Sequence, residues 1–342
     1  MNRVQTSILV RPWRDDDLTP VLGLLQAALG EGPAGSRPSE FFTWKHFENP
    51  FGRSLMLVAE ADGRPVGLRA FMRWRFRTGE RTINAVRAVD TATHPDHQGH
   101  GIFSMLTRQA IEIMRDEVDL IFNTPNEKSL PGYLKMGWRV VGRVPILIGA
   151  HRPLRVALGF RSIREAVTPT RPKPELECET AAEALAASDA ISRLLAAAGA
   201  AEDRLTTDDD VTYLRWRYGS VPLIDYRAVR EEGPGGLRGL ALFRVRPRGR
   251  LWECTVAELI VADGDKAVAG RLLHRIRRTT GVDHVAASFP ARSVQTTAAR
   301  RRGFVRAPGG MTMVVNPLRG VTRPDPLSLD SWAVRLGDLE VF

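Results

Sequence analysis

The sequence predicts an α/β protein made of two tandem copies of one unit, each with a mixed sheet covered by helices. Three observations lead there. At 342 residues the chain exceeds what one hydrophobic core usually organises. A Trp-basic pair followed by two alternating apolar runs occurs twice, as WKHFENPFGRSLMLVAEADGRPVGLRAFMRWRF from Trp44 and WRYGSVPLIDYRAVREEGPGGLRGLALFRVRPR from Trp216. Gly67 and Gly239 each fall 23 positions after their tryptophan. Finally, residues 83–123 read as strand, glycine-bearing loop, amphipathic helix and strand, which is a crossover between parallel strands.

Taken in order, VRPWRDDDLTPVLGLLQAAL (10–29) supplies a first strand and helix. Alternation on either side of ADGRP and of EEGPGG predicts one antiparallel hairpin per copy. INAVRAVDTAT (83–93) is the next strand of the first copy. Ile102, Leu106, Ala110 and Ile113 then share a helix face, with Thr107, Arg108 and Glu112 elsewhere, and VDLIFN (118–123) is again a strand. The copies close alike: KMGWRVVGRVPILI (135–148) and RRGFVRAPGGMTMVV (301–315) each read as a helix end, a glycine C-cap, an aromatic and a strand. The expected organisation is a first domain over 1–150, a helical and Pro-rich linker over 151–173, a second domain over 174–318, and a tail over 319–342.

Composition narrows the class. Hydrophobic residues make up 43% and charged residues 26%, the balance of a soluble globular protein. Two cysteines, Cys178 and Cys254, write neither a disulfide framework nor a Cys-based zinc site. The N-terminus turns charged before a signal-peptide core forms, and apolar runs such as 144–150 are too short to span a bilayer. A cytoplasmic location without a membrane partner is expected. The net charge of +10 suits an anionic ligand, yet the basic residues are scattered among 39 acidic ones. With no Lys/Arg block interleaved with aromatics, no nucleic-acid partner is expected. Monomer and homodimer both remain open.

HPDHQGHGIFSML (94–106) presents two chemistries. His94, His97 and His100 could hold a metal with Asp90 or Asp96, but three-residue spacing gathers ligands only on a helix. Pro95, Gly99 and Gly101 oppose a helix there, so no metal is expected. Phosphate suits the segment better. Gly99 and Gly101 allow close backbone approach, and the helix that follows aims its free N–H groups at an anion.

The stretch resembles motif A of the GCN5-related N-acetyltransferase (GNAT) superfamily, with Gln98, Gly99 and Gly101 at the motif's spacing and Phe103 at its last small position. NEKSLPGYLKMGW resembles a second segment of that superfamily through Asn126, Tyr133, Gly137 and Trp138. The resemblance covers residues 1 to about 150 well and the second half weakly. It implies an enzyme, an acyltransferase that moves an acetyl group from acetyl-CoA to the primary amine of a small molecule such as an aminosugar. Ala92, Thr93, His94, Gln98, Gly99, His100, Gly101, Ile102, Phe103, Ser104 and Asn126 would bind acetyl-CoA. Tyr133 would protonate the leaving thiolate. Asp90 would either deprotonate the amine, directly or through water, or instead recognise its ammonium form or make a structural hydrogen bond. Trp44 and Phe51 could line an acceptor pocket and Glu40 and Glu48 could contact a cationic acceptor, with core packing the expectation for both aromatics and solvation for both acids.

Two alternatives stand beside this reading: an aminoacyl-tRNA-dependent peptidyltransferase of the same tandem type, and a non-catalytic CoA-binding module. The second copy reads as degenerate. Aligning GRLL with FSML sets Asp265 opposite Gln98, Lys266 opposite Gly99 and Val268 opposite Gly101. Counting from Gly303 sets Ala299 in the place of Tyr133 and Arg292 in that of Asn126. At the C-terminus, Asp338, Glu340 and the Phe342 carboxylate fall together.

Overall fold

The computed structural model describes residues 7–30, 38–159, 162, 167–199, 202–321 and 323–339. Glu340 and Phe342 lie outside the described residues, as does part of the expected linker. The first half runs β1 (Leu9–Pro12), α1 (Leu18–Leu29), α2 (Ser39–His46), β2 (Leu55–Ala61), β3 (Arg64–Thr78), β4 (Arg81–Thr93), α3 (Ile102–Met114), β5 (Leu120–Asn123), α4 (Leu130–Lys135) and β6 (Arg139–Val144). Then come β7 (Leu147–Ala150) and α5 (Pro153–Gly159). The second half runs α6 (Ala181–Ala184), α7 (Ser188–Ala198), β8 (Thr206–Thr207), α8 (Val211–Leu214), β9 (Tyr226–Gly233), β10 (Gly236–Arg248) and β11 (Leu251–Val261). It continues with α9 (Lys266–Thr280), β12 (His284–Ala287), α10 (Val294–Arg301), β13 (Val305–Arg306), β14 (Met311–Pro317) and α11 (Leu336–Leu339).

The local chemistry accounts for these elements. Asp62 and Gly63, at φ 50° and 73°, turn β2 into β3 with the two left-handed residues that match strand twist. On α3 the buried stripe is Ile102, Leu106, Ala110 and Met114; Ile113, expected there, is 47% exposed because the stripe drifts with the 3.6-residue period. Gly67 admits α3: a Cβ would stand 2.6 Å from Ile102 Cγ2 and 3.2 Å from Leu106 Cδ1. Gly239 admits α9 in the same way, against Val268 and Leu272. Val268 therefore answers to Ile102 rather than to Gly101, which moves the sequence alignment by one residue.

Two mixed sheets form, in the orders β1-β2-β3-β4-β5-β14-β6 and β13-β7-β12-β11-β10-β9, with β8 beside β3. The expected boundaries at 150 and 174 do not follow the sheets. β14, from the second half, inserts antiparallel between β5 and β6, and β7, from the first half, pairs with β12 and β13. Each half lends its last strand to the other, so a cut after residue 150 would take β7 out of its sheet. Hairpin alternation cannot disclose this, because pairing partners of a final strand are chosen by tertiary packing.

The halves also share a core. One buried cluster joins Trp44, Trp74 and Phe122 to Tyr213, Trp216, Tyr218 and Leu242, while smaller clusters lie under α3 and α9. At its centre the repeated tryptophans meet. Trp44 Nε1 donates to the Trp216 carbonyl at 2.8 Å, Trp216 Nε1 donates to the Trp44 carbonyl at 2.9 Å, and the rings stack at 4.9 Å. This reciprocity is what a local two-fold relation between repeats requires. Trp44 is thereby committed to the junction, as core packing predicted.

Candidate active site

The site begins with a bulge. β3 pairs with β4 at Leu68–Ala92 and again at Ala70–Val89, so Asp90 and Thr91 together oppose Arg69. Asp90 takes φ 39° there, which turns its side chain towards α2. On its other edge β4 pairs with β5 only over Ala85–Arg87, so the strands part beyond Arg87. The parting leaves a wedge at the C-terminal end of a parallel pair, where open α/β sheets take ligands.

Against β4 lies a cleft of about 320 Å³ lined by Ala28 and Leu29 of α1, Thr91–Thr93, His97–Gly99, and Gly101–Phe103. Gly99 and Gly101 adopt φ 81° and 75°, a region that costs residues with a Cβ, and a Cβ at either would meet nothing within 4 Å. Gly101 is the N-cap of α3 and no side chain caps that end. The first-turn N–H groups therefore face the cleft with the positive end of the helix dipole.

In the second half the corresponding helix end is closed. Asp265 accepts from the N–H groups of Val268, at 3.0 Å, and Ala267, at 2.8 Å, and those bonds hold its carboxyl below the ordinary range. The closing turns nevertheless match. Trp138 N donates to the Tyr133 carbonyl and Phe304 N to the Ala299 carbonyl, around Gly137 at φ 99° and Gly303 at φ 81°. The alignment of Ala299 with Tyr133 follows from that shared backbone.

Tyr133 is buried on α4, edge-on to Phe103 at 5.6 Å and Trp138 at 5.2 Å. Its hydroxyl accepts a hydrogen bond from Arg69 Nη1 at 2.9 Å, which leaves the phenol proton to point elsewhere. Sequence reasoning missed Arg69. It sits fully buried in β3, also donates to Thr91 Oγ1, and its guanidinium lies over the rings of Phe71, Phe103 and Tyr133. Its Nε and Nη2 are buried without a hydrogen-bond partner. The available signal was an arginine at a core-facing position of GLRAFM. Phe103, the bulky residue of the loop motif, packs against Gly132, where a Cβ would stand 3.0 Å from its ring.

Asp90 is held from two sides. Lys45 Nζ lies 2.7 Å and His46 Nε2 2.9 Å from its Oδ2, while His46 Nδ1 reaches Ser54 Oγ at 2.9 Å. Burial alone would raise the carboxyl, but Lys45 and the His46 hydrogen bond overcome it and keep Asp90 well below the usual range. Burial pushes the His46 imidazole down in spite of Asp90, so it is neutral. Lys45 and His46 were not singled out in the sequence, where TWKHFEN reads as a polar helix end.

Other expected positions divide. The cleft gathers Ala92, Thr93, Gln98, Gly99, Gly101, Ile102 and Phe103, and adds Thr91, His97, Ala28 and Leu29. The His94 N–H is spent on the Val66 carbonyl at 2.8 Å, so it is not available to a thioester. His100 and Ser104 are not among the lining residues; His100 Nδ1 lies 3.2 Å from the His97 carbonyl. Asn126 Oδ1 accepts from the N–H groups of Lys128 and Ser129 and so shapes the approach to α4. Phe51 stacks on Tyr213 at 5.3 Å, and Glu40 and Glu48 are exposed. Among the described residues no group of three His, Cys, Asp or Glu could hold a metal ion, and no helix is long and apolar enough to cross a membrane.

Residues 9–141 match the family model of an acetyltransferase (GNAT) domain. Over that segment the chain carries a GNAT acetyltransferase domain. Solved structures share the fold along most of the chain. A probable N-acyltransferase from Enterococcus faecalis superposes with a TM-score of 0.63 at 12% identity, covering 92% of this chain and 73% of that one. A GCN5-related N-acetyltransferase from Anabaena variabilis gives 0.62 at 11% identity with the same coverage. Eis1 from Mycobacterium abscessus gives 0.56 at 12% identity, covering 91% and 74%. No curated protein matches significantly.

Proposed function

We propose that the first half transfers an acetyl group from acetyl-CoA to the primary amine of a small molecule. The observation that carries this reading is the uncapped start of α3 facing an open cleft, set against its sealed counterpart at Asp265. The backbone from Gln98 to Ile102 would receive the pyrophosphate, and Ala92 and Thr93 would receive the pantetheine arm and thioester. Attack by the amine develops negative charge on the carbonyl oxygen and then on the departing sulfur. Tyr133 would give its proton to that sulfur, with the Arg69 charge beside it favouring the thiolate.

A carboxylate held as low as Asp90 is a weak base. Its ion pair with Lys45 favours a positioning and ammonium-recognition role over direct deprotonation. The amine then loses its proton to water or arrives neutral.

Titration of the full chain with acetyl-CoA, followed by thiol release against a panel of amines, tests the reading. Gly101→Ala should stay folded at a cost of about 1 kcal/mol for its left-handed backbone, and should bind acetyl-CoA at least about tenfold more weakly. Unchanged affinity in the folded variant refutes the loop assignment.

A further inference from the structure

The cleft beside Gly101 has a counterpart in the second half. Ala198 and Gly199 at the end of α7 line it as Ala28 and Leu29 at the end of α1 line the first, and Val261 of β11 pairs with Gly239 as Thr93 of β4 pairs with Gly67. This counterpart is a cavity of about 400 Å³. Its chemistry differs from that of the first. Asp265 seals the start of α9, and its carboxylate there repels a phosphate.

Positive charge has instead moved to side chains. Arg77 of β3, Arg204, Arg292 and Arg335 line the cavity, against Asp203 and Asp209. Arg335 is answered by Asp209 and Glu258, each at 2.7 Å, and Arg204 by Asp203 at 3.9 Å, so the cavity's own positive charge comes from Arg77 and Arg292. Three lining residues carry a buried donor without a hydrogen-bond partner: Arg77 Nε, Thr206 Oγ1 and Arg335 Nη2. The nearest acid to Arg77 Nε, Asp208, lies 3.8 Å away, beyond hydrogen-bond reach. Those three atoms are sealed within the wall, and it is the guanidinium groups of the lining arginines that present charge to the cavity. The rest of the wall is apolar, with Leu195, Leu259, Phe289 and Val294.

We propose that this cavity is a second binding site, for a small carboxylate with an apolar body. Arg77 and Arg292 receive the carboxylate, with Thr206 beside them, and Leu195, Leu259 and Phe289 hold the hydrocarbon. Planar guanidinium groups pair well with a carboxylate, and a cavity of this size encloses a small molecule.

Calorimetry on the full chain with benzoate and hexanoate as probes, and inorganic pyrophosphate as a contrast, tests the proposal. One carboxylate should bind with a Kd below about 1 mM. Arg77→Ala should weaken it at least about tenfold by removing a charge-assisted partner. Leu195→Trp, which fills the cavity, should abolish it, while acetyl-CoA affinity stays at the wild-type value in both variants. Absence of binding by either carboxylate to folded wild type at about 10 mM overturns the proposal. So does binding that neither substitution alters, or pyrophosphate binding more tightly than both carboxylates and competing with them.

Discussion

Replacing Tyr133 with phenylalanine separates a chemical role from a packing role. The ring keeps its contacts with Phe103 and Trp138, so no cavity opens. What disappears is the oxygen that accepts from Arg69 at 2.9 Å. Arg69 already has Nε and Nη2 unpaired, and Tyr133→Phe leaves Thr91 as its one side-chain acceptor among the described residues. A buried hydrogen bond to a charged group is worth about 1.5–3 kcal/mol, and stability should fall by that order whatever the hydroxyl does in catalysis. A proton donor to the leaving thiolate is worth about 10²–10⁴ in rate. The expected result is therefore a kcat for thiol release down at least about 100-fold, with acetyl-CoA affinity within about threefold of wild type. Thermal unfolding, calorimetric Kd and single-turnover thiol release measure the three quantities separately. Because Arg69 and Tyr133 touch, Arg69→Met and the double variant should be strongly non-additive in rate. A lower Tm with unchanged single-turnover rate refutes Tyr133 as the acid and leaves it a support for Arg69.

Three further outcomes follow from the geometry. Asp90→Asn strips Lys45 of a buried partner, so stability should drop by about 3–5 kcal/mol and the rate defect should be the same at every pH; recovery of rate as pH rises would restore Asp90 as the base. Equilibrium titration should give one acetyl-CoA per chain, unaltered by Val268→Ala or by Asp265→Ala, and two equivalents in any of these proteins refutes a degenerate second half. Glu258 supplies a pH signature. Burial, with Asp338 and Asp209 close by, pushes it up to about 8 against the pull of Arg335. The folded chain then holds a proton that the unfolded chain releases above about pH 4.3, so stability falls as pH rises towards 8, by at most about 1.4 kcal/mol per unit. Glu258→Gln should flatten that slope in chemical denaturation between pH 5 and 8, and an identical slope would contradict it.

Much of the candidate site could be read from the chain because it is built from backbone. Gln98, Gly99 and Gly101 lie within one loop, and a left-handed glycine before a helix has the same consequence in any tertiary setting. Tyr133 and its turn were legible for the same reason: the Gly137 C-cap and the Trp138 contact are local. The two-fold repeat also showed itself, since Trp44 and Trp216 begin like patterns. Tertiary structure alone decided the rest. Which final strand enters which sheet depends on packing between residues as distant in the chain as Leu120 and Pro317, and β7 and β14 changed places without any change in their alternation. Arg69, Lys45 and His46 look like ordinary surface charges until the β4 bulge turns Asp90 towards α2 and the sheet buries the arginine. Asp265 is an ordinary helix cap in sequence, and only the superposed cleft makes it a plug. Charge partners and burial are properties of neighbours distant in the chain, and one strand or helix by itself does not specify them.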